Sequence, residues 1–248
     1  MRVSLFITCL VDSVFPNVGV GMTRILQQQG CEVVFPPQQT CCGQPSFNSG
    51  YTAESREVAK TFLQAFKDAD IIVSPSGSCV GMIKHYYPEL FANDPVLHKQ
   101  ALDVSNKIYE FSQFLVNVLH VEDLGAFFPQ TATYHPSCHG SRLLGIKDEP
   151  MRLLSHVTGL ELRDLPYAND CCGFGGTFSV KMGDISGAMV DEKAEHVLET
   201  GASVLIGTDM GCLMNIGGRM TRRGERIRVM HLAELLYEGI QNANGVTS

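Results

Sequence analysis

The chain predicts an α/β fold made of two tandem, pseudo-symmetric repeats, each built on a parallel sheet. Three observations carry this. Short apolar runs alternate with helical patterns in both halves. The motif Cys41-Cys42-Gly43 recurs 130 residues later as Cys171-Cys172-Gly173. Each pair also has one cysteine before it and one after it at matched distances. Thirty-one residues lie between Cys9 and the first pair and thirty-six between that pair and Cys79; the second half has thirty-two after Cys138 and thirty-nine before Cys212. We expect a first repeat over residues 1–125 and a second over 126–248, packed about a pseudo-two-fold axis as fused copies of a symmetric dimer.

The elements follow in order. Residues 2–8 read as a strand that ends on Cys9. Residues 17–29 look helical and stop at Gly30, a residue suited to the left-handed C′ position. Residues 31–35 form a second short strand. From Thr52 to about Lys67 the apolar Val58, Ala59, Phe62, Leu63 and Phe66 recur at helical spacing. Residues 70–74 make a strand leading to Cys79. The second half repeats the order: strand 131–135, helix 149–158, strand 160–165, a long helix over about 178–200 ended by Gly201, and strand 203–207. The segments 104–119 and 227–240 each read as a strand or loop plus a closing helix. Cys9, Cys79, Cys138 and Cys212 thus fall at the carboxyl ends of strands, where open α/β sheets build their sites.

Composition narrows the function. With 248 residues and 44% of them hydrophobic, the chain can bury a sizeable core, and no stretch is long enough to span a bilayer. A net charge of −7 without a basic cluster argues against nucleic acid and anionic lipid. The apolar start Val3 to Cys9 reads as a first strand and not as an export signal, because Thr8 stands where a small cleavage-site residue belongs. Nine cysteines in such a chain read as metal ligands of a cytoplasmic protein, not as a disulfide framework.

Each quartet has a chemical logic. Adjacent cysteines on an extended strand point to opposite faces. They address one centre only if the backbone turns sharply, which Gly43 and Gly173 permit. Four thiolates gathered from separate loops suit an iron–sulfur cluster, with Cys9, Cys41, Cys42 and Cys79 at one site and Cys138, Cys171, Cys172 and Cys212 at the other. Zinc also takes four thiolates, but its sites usually draw on close C-x-x-C knuckles, unlike these long spacings and vicinal pairs. Cys31 is left over and reads as a core thiol.

The motifs Cys41-Cys42-Gly43-Gln44-Pro45 and Cys171-Cys172-Gly173-Phe174-Gly175-Gly176-Thr177, with Ser76-Gly77-Ser78-Cys79 and Gly211-Cys212-Leu213-Met214-Asn215, resemble those of the cysteine-rich CCG domain family. This family includes a component of heterodisulfide reductase and the iron–sulfur subunits of glycolate and lactate oxidation systems. The resemblance implies an iron–sulfur electron-transfer subunit carrying two clusters of the [4Fe–4S] type. It further implies work with two partner subunits, at least one of them an iron–sulfur protein, that oxidise L-lactate to pyruvate. The alternative is a heterodisulfide-reductase-like thiol–disulfide oxidoreductase acting at a cluster. One departure bears on that choice. Where the reductase pattern has a further cysteine before the last one, this chain has Ser76 and Asp209, leaving four cysteines per half.

Other candidates are weaker. Asp209 reads either as an oxygen ligand or as a carboxylate at a helix start. His135 and His139 flank Cys138, where either could hydrogen-bond a cluster sulfur or couple a proton to electron transfer; the first repeat has no histidine at either place, so packing or capping is the stronger reading for both. His231 reads as the start of the last helix. Gly19-Val20-Gly21 lacks the third glycine of a nucleotide fingerprint, Arg24 standing there instead. Removing a hydride from a hydroxyacid normally needs a flavin or nicotinamide, so electrons are expected to pass through partners. Because the second motif is richer in glycine, histidine and Lys181, its site is expected to be the more exposed and redox-active of the two.

Overall fold

A computed structural model describes residues 1–245. The first half runs β1 (Arg2–Leu5), α1 (Cys9–Val14), α2 (Pro16–Gln28), β2 (Glu32–Val34), α3 (Gln44–Asn48), α4 (Thr52–Ala65), β3 (Ile72–Ser74) and α5 (Gly77–Gly81). A π-helical turn, Met82–Tyr86, then leads into α6 (Tyr87–Leu90), α7 (Pro95–Ser105), β4 (Ile108–Glu110), α8 (Phe111–Gln113) and a second π-turn, Phe114–Val118. The second half runs β5 (Thr131–His135), a π-turn (His139–Leu143), α9 (Glu149–Ser155), β6 (Glu161–Arg163), α10 (Phe178–Lys181), α11 (Gly183–Glu199), β7 (Val204–Gly207), α12 (Met210–Arg222), β8 (Arg228–His231) and α13 (Leu232–Ala243). The expected repeats of parallel α/β structure are present.

The two sheets have the same order, β2-β1-β3-β4 and β6-β5-β7-β8, with all pairs parallel. Their registers also coincide. Ser4 pairs with Ile72 in the first sheet, and Thr133 pairs with Leu205 in the second, each at the same distance before its quartet cysteines. Positions in one half can therefore be matched to positions in the other.

Several boundaries moved for local reasons. β1 covers only part of 2–8, because Ile7 donates its N–H to the side chain of Gln39 at 2.8 Å and not to a neighbouring strand. The helix expected over 178–200 is broken at Met182, whose backbone (φ −123°, ψ 50°) leaves helical space just before Gly183. Gly30 adopts φ +77° after α2, as its C′ role requires. The helices α5, α7 and α12 were not expected from sequence. α12 carries Gly211, Gly217 and Gly218, which depress helix propensity and hide it from a periodicity argument.

The halves exchange helices. α13 of the second half packs on α2 of the first, and α9 packs on α8 and the π-turn after it. Gly21 makes the first contact possible, since a Cβ there would lie 2.9 Å from the carbonyl oxygen of Ala233. Val18, Met22, Ile25 and Leu26 of α2 join Leu232, Leu235 and Leu236 of α13 in one buried cluster that spans both halves. A second cluster, around Phe6, Phe62, Phe66 and Tyr87, belongs to the first half. Among the described residues no helix is long and apolar enough to cross a membrane.

Candidate metal centres

The outer cysteines occupy the beginnings of the helices and turns that follow the two central strands of each sheet. Cys9 opens α1 after β1, and Cys79 lies in α5 after β3. Cys138 immediately precedes the π-turn after β5, and Cys212 lies in the first turn of α12 after β7. Free amides at such ends favour negative charge, which is what a thiolate or a reduced cluster brings. The vicinal pairs arrive from loops. Gly43 and Gly173 take φ +79° and +77°, and each donates its N–H to the sulfur two residues back, Cys41 or Cys171, at 3.4 Å.

The eight cysteines assemble as two groups of four. In the first, Cys9 Sγ lies 3.9 Å from Cys41 Sγ, and Cys42 Sγ lies 3.2 Å from Cys79 Sγ. In the second, Cys172 Sγ lies 3.0 Å from Cys212 Sγ, and Cys138 sits close enough to Cys171 for each thiol to shift the other's pKa. These separations exceed a disulfide bond, roughly 2.05 Å, and none of the nine cysteines is paired in a disulfide. Cys31 stands apart, buried in the core cluster as expected.

Each vicinal pair is electrostatically divided. S–H donation from Cys42, then from Cys9, holds Cys41 down to about 3. Donation from Cys138, then from Cys172, holds Cys171 down to about 2. Cys42 and Cys172 are pushed up, first by their hydrogen bonds to those thiolates. The first member of each pair is thus the ready thiolate, the form that ligates metal.

The two sites differ, and not as expected. The first quartet opens on a cavity of about 450 Å³ between the halves, and Cys9 is exposed, whereas Cys138 is only half-buried. The first site is therefore the more open one, which corrects the expectation drawn from the richer second motif. The reason is a crossover. The glycine-rich loop after the second pair serves the first site: Phe174, Gly176, Thr177 and Val180 line that cavity. Thr177 Oγ1 hydrogen-bonds Ser49 Oγ at 2.8 Å, and Lys181 lies over the ring of Tyr51.

Asp209 is a clasp as well as a cap. Its Oδ1 accepts from the N–H of Gly211 at 3.1 Å, and its Oδ2 accepts from Ser76 Oγ and from the N–H of Ser78, both at 3.0 Å. The two residues that stand where the reductase pattern has extra cysteines therefore bond to each other across the halves. Beside them His231 caps α13 and makes a 2.8 Å hydrogen bond to the carbonyl of Pro75.

The second site has its own buried polar groups. His135 lies within a cluster with Cys172 and Cys212 whose ligand atoms are all within 4.8 Å of one another, and neither ring nitrogen has a protein partner. Burial, then the nearby charge of Lys193, pushes its pKa down to about 3. A packing or capping role does not account for such a ring. His139 is different, with Nδ1 3.6 Å from Cys138 Sγ and Nε2 3.4 Å from Gln44. Lys193 was not singled out in the sequence, yet it is buried and donates to the carbonyls of Tyr167 and Ala168 at 2.6 and 3.3 Å. Aligning the repeats on their cysteine pairs and on Ser55 and Ser186 would have exposed it, because it then falls on Phe62. Tyr87 and Asn215, which hydrogen-bond the carbonyls of Cys42 and Cys172 at 3.0 and 2.8 Å, hold the pairs from behind.

A family model described as a cysteine-rich CCG domain matches residues 3–84 and again 132–217, so each match contains one quartet. The chain belongs to the CCG family. Within it the likeness to one group is high. Lactate utilization protein A of Geobacillus thermodenitrificans is 58% identical over 236 residues, covering 95% of this chain and 98% of that protein. Its counterpart in Oceanobacillus iheyensis is 55% identical, covering 95% and 96%. Lactate utilization protein A 2 of Bacillus cereus is 52% identical over 240 residues, covering 97% and 99%. The chain is a member of that lactate utilization protein A group. Among solved structures, a hypothetical protein from Helicobacter pylori superposes with a TM-score of 0.69 at 11% identity, covering 98% of this chain and 50% of that one, a likeness of fold alone.

Proposed function

We propose that this CCG protein acts in lactate utilisation as an electron-transfer subunit, with one [4Fe–4S] cluster in each quartet. Cys9, Cys41, Cys42 and Cys79 hold the first, within residues 1–125, and Cys138, Cys171, Cys172 and Cys212 hold the second, within 126–248. Two partner subunits, at least one of them an iron–sulfur protein, complete a complex that oxidises L-lactate to pyruvate in the cytoplasm. The single observation that carries this reading is the duplicated convergence of four thiols at strand ends, in a chain more than 50% identical to proteins named for lactate utilisation.

The donor set fits such a group. Neighbouring thiols hold the Cys41 and Cys171 pKa values well below the usual thiol range, and the N–H groups of Gly43 and Gly173 donate to their sulfurs. Hydrogen bonds of this kind stabilise the negative charge of an iron–sulfur cluster and set its potential. When bound, the clusters supply one-electron transfer. The protein's part is to hold the thiolates, bury the Cys42 and Cys172 side, and leave Cys9 open toward a partner.

The thiol–disulfide alternative gains no support from the site. A fifth thiolate has no place in either half, because Ser76 and Asp209 fill those positions and are bonded to each other at 3.0 Å. The test is to mix anaerobically purified protein with its candidate partners and follow bleaching of the cluster absorbance on adding L-lactate. Bleaching that needs lactate and every partner supports the electron-transfer reading. Turnover of disulfides by the chain alone supports the alternative.

A further inference from the structure

The matched registers allow the two sites to be compared residue by residue. His135 stands three residues before Cys138, and Phe6 stands three before Cys9. Ser186 Oγ donates to the carbonyl of Gly173, as Ser55 Oγ does to that of Gly43, at 2.7 and 3.4 Å. Seven residues beyond those serines come Lys193 and Phe62. In the first half the two positions form an edge-on aromatic pair, Phe6 and Phe62, with centroids 4.8 Å apart. In the second half the same two positions hold a buried histidine and a buried lysine. The aromatic pair shows that packing alone needs no polar group here.

In every protonation state an imidazole carries at least one N–H. Lys193 satisfies itself on the carbonyls of Tyr167 and Ala168, but the ring of His135 has no protein acceptor at either nitrogen. The groups facing it are the sulfurs of Cys172 and Cys212, the nearby thiolate of Cys171, and the ammonium of Lys193, which cannot accept. Buried polar groups are almost always paired, so an orphan aimed at thiols points to the group those thiols hold.

We propose that His135 donates its N–H to a sulfur of the second centre, so that the two centres of this protein are electronically unequal. The first centre, backed by Phe6, has no counterpart of this bond. An N–H···S bond favours the more negative, reduced form and so raises the potential of the second centre relative to a site without it. This inference rests on the iron–sulfur reading of the quartets, and the experiment separates the two.

Protein is purified without oxygen, its iron and sulfide are measured, and it is reduced and examined by pulsed EPR with natural-abundance and ¹⁵N-labelled histidine. The expected result is a nitrogen coupling that changes isotope with the label, persists in His139→Phe, and is lost in His135→Phe. Titration of His135→Phe should show one of two potentials lowered by a tenfold change in the reduction equilibrium or more, about 59 mV for one electron, and the other unmoved. Iron and sulfide present without any histidine coupling, or a coupling that vanishes in His139→Phe, overturns the role of His135 while leaving the clusters in place. Quartets that take up no iron overturn the cluster reading and this inference with it. If His135→Phe does not fold, the labelled comparison of the unmodified protein with His139→Phe decides the question.

Discussion

Gly43→Ala and Gly173→Ala place one methyl group on equivalent turns, and the structure assigns them unequal costs. Both positions sit in left-handed backbone, at φ +79° and +77°. An alanine costs roughly 1–2 kcal/mol there. At Gly43 the added Cβ meets nothing closer than Val58 Cγ1 at 3.4 Å, an ordinary contact. At Gly173 it would lie 2.7 Å from the carbonyl oxygen of Ser186 and 3.2 Å from Met189 Cβ. Those atoms belong to α11, a seventeen-residue helix that must move to make room. Overpacking of this kind adds roughly 1–3 kcal/mol. The expected losses are about 1–2 kcal/mol for Gly43→Ala and about 2–5 kcal/mol for Gly173→Ala. Anaerobic denaturant unfolding followed by far-UV circular dichroism reads the difference, with iron per chain as a second readout. Gly173→Ala should also lose metal from its own half first, because Cys172 rides on the same turn. Equal losses, or a larger one at Gly43, would refute this account of the second turn.

Three further outcomes rest on buried groups and on the seam between the halves. Glu110 is fully buried with Oε1 unpaired, and burial raises its carboxyl from 4.5 to about 7. The folded chain thus holds a proton that the unfolded chain has lost, a contribution of about 3 kcal/mol that is complete below about pH 4.5 and is lost as pH rises to about 7. Glu110→Gln should flatten the dependence of the unfolding midpoint across that window; an unchanged slope contradicts the assignment. Gly21→Ala should weaken the seam between α2 and α13 by about 1–3 kcal/mol, since its Cβ meets Ala233 O at 2.9 Å, and a neutral result in thermal unfolding would show that the helices part easily. Cys31→Ser should leave iron and sulfide unchanged and cost about 1–2 kcal/mol for burying a hydroxyl in the core; loss of iron would mean that the ninth cysteine ligates.

Much of this architecture was legible because it is local or repeated. The strand 131–135 and the stop at Gly30 follow from period and punctuation, and the quartets follow from spacing. α12 was hidden because its glycines serve close packing, as at Gly217 against Val229, and lower the helical signal. The break at Met182 is likewise tertiary, since α10 turns away to cover the first site's cavity. The error about exposure has the same root. A motif need not serve the site nearest in sequence: Thr177 and Asp209 of the second half reach across to Ser49, Ser76 and Ser78 of the first. A repeat shows which residues are equivalent. It does not show which half each one serves.

The most direct test of the central claim is iron and acid-labile sulfide per chain in anaerobically purified protein, measured on the parent, Cys42→Ser and Cys172→Ser. The account predicts about eight iron and eight sulfide in the parent, two [4Fe–4S] centres, and about half of each in either variant. Tightly bound zinc without sulfide, or full iron in both variants, would contradict it.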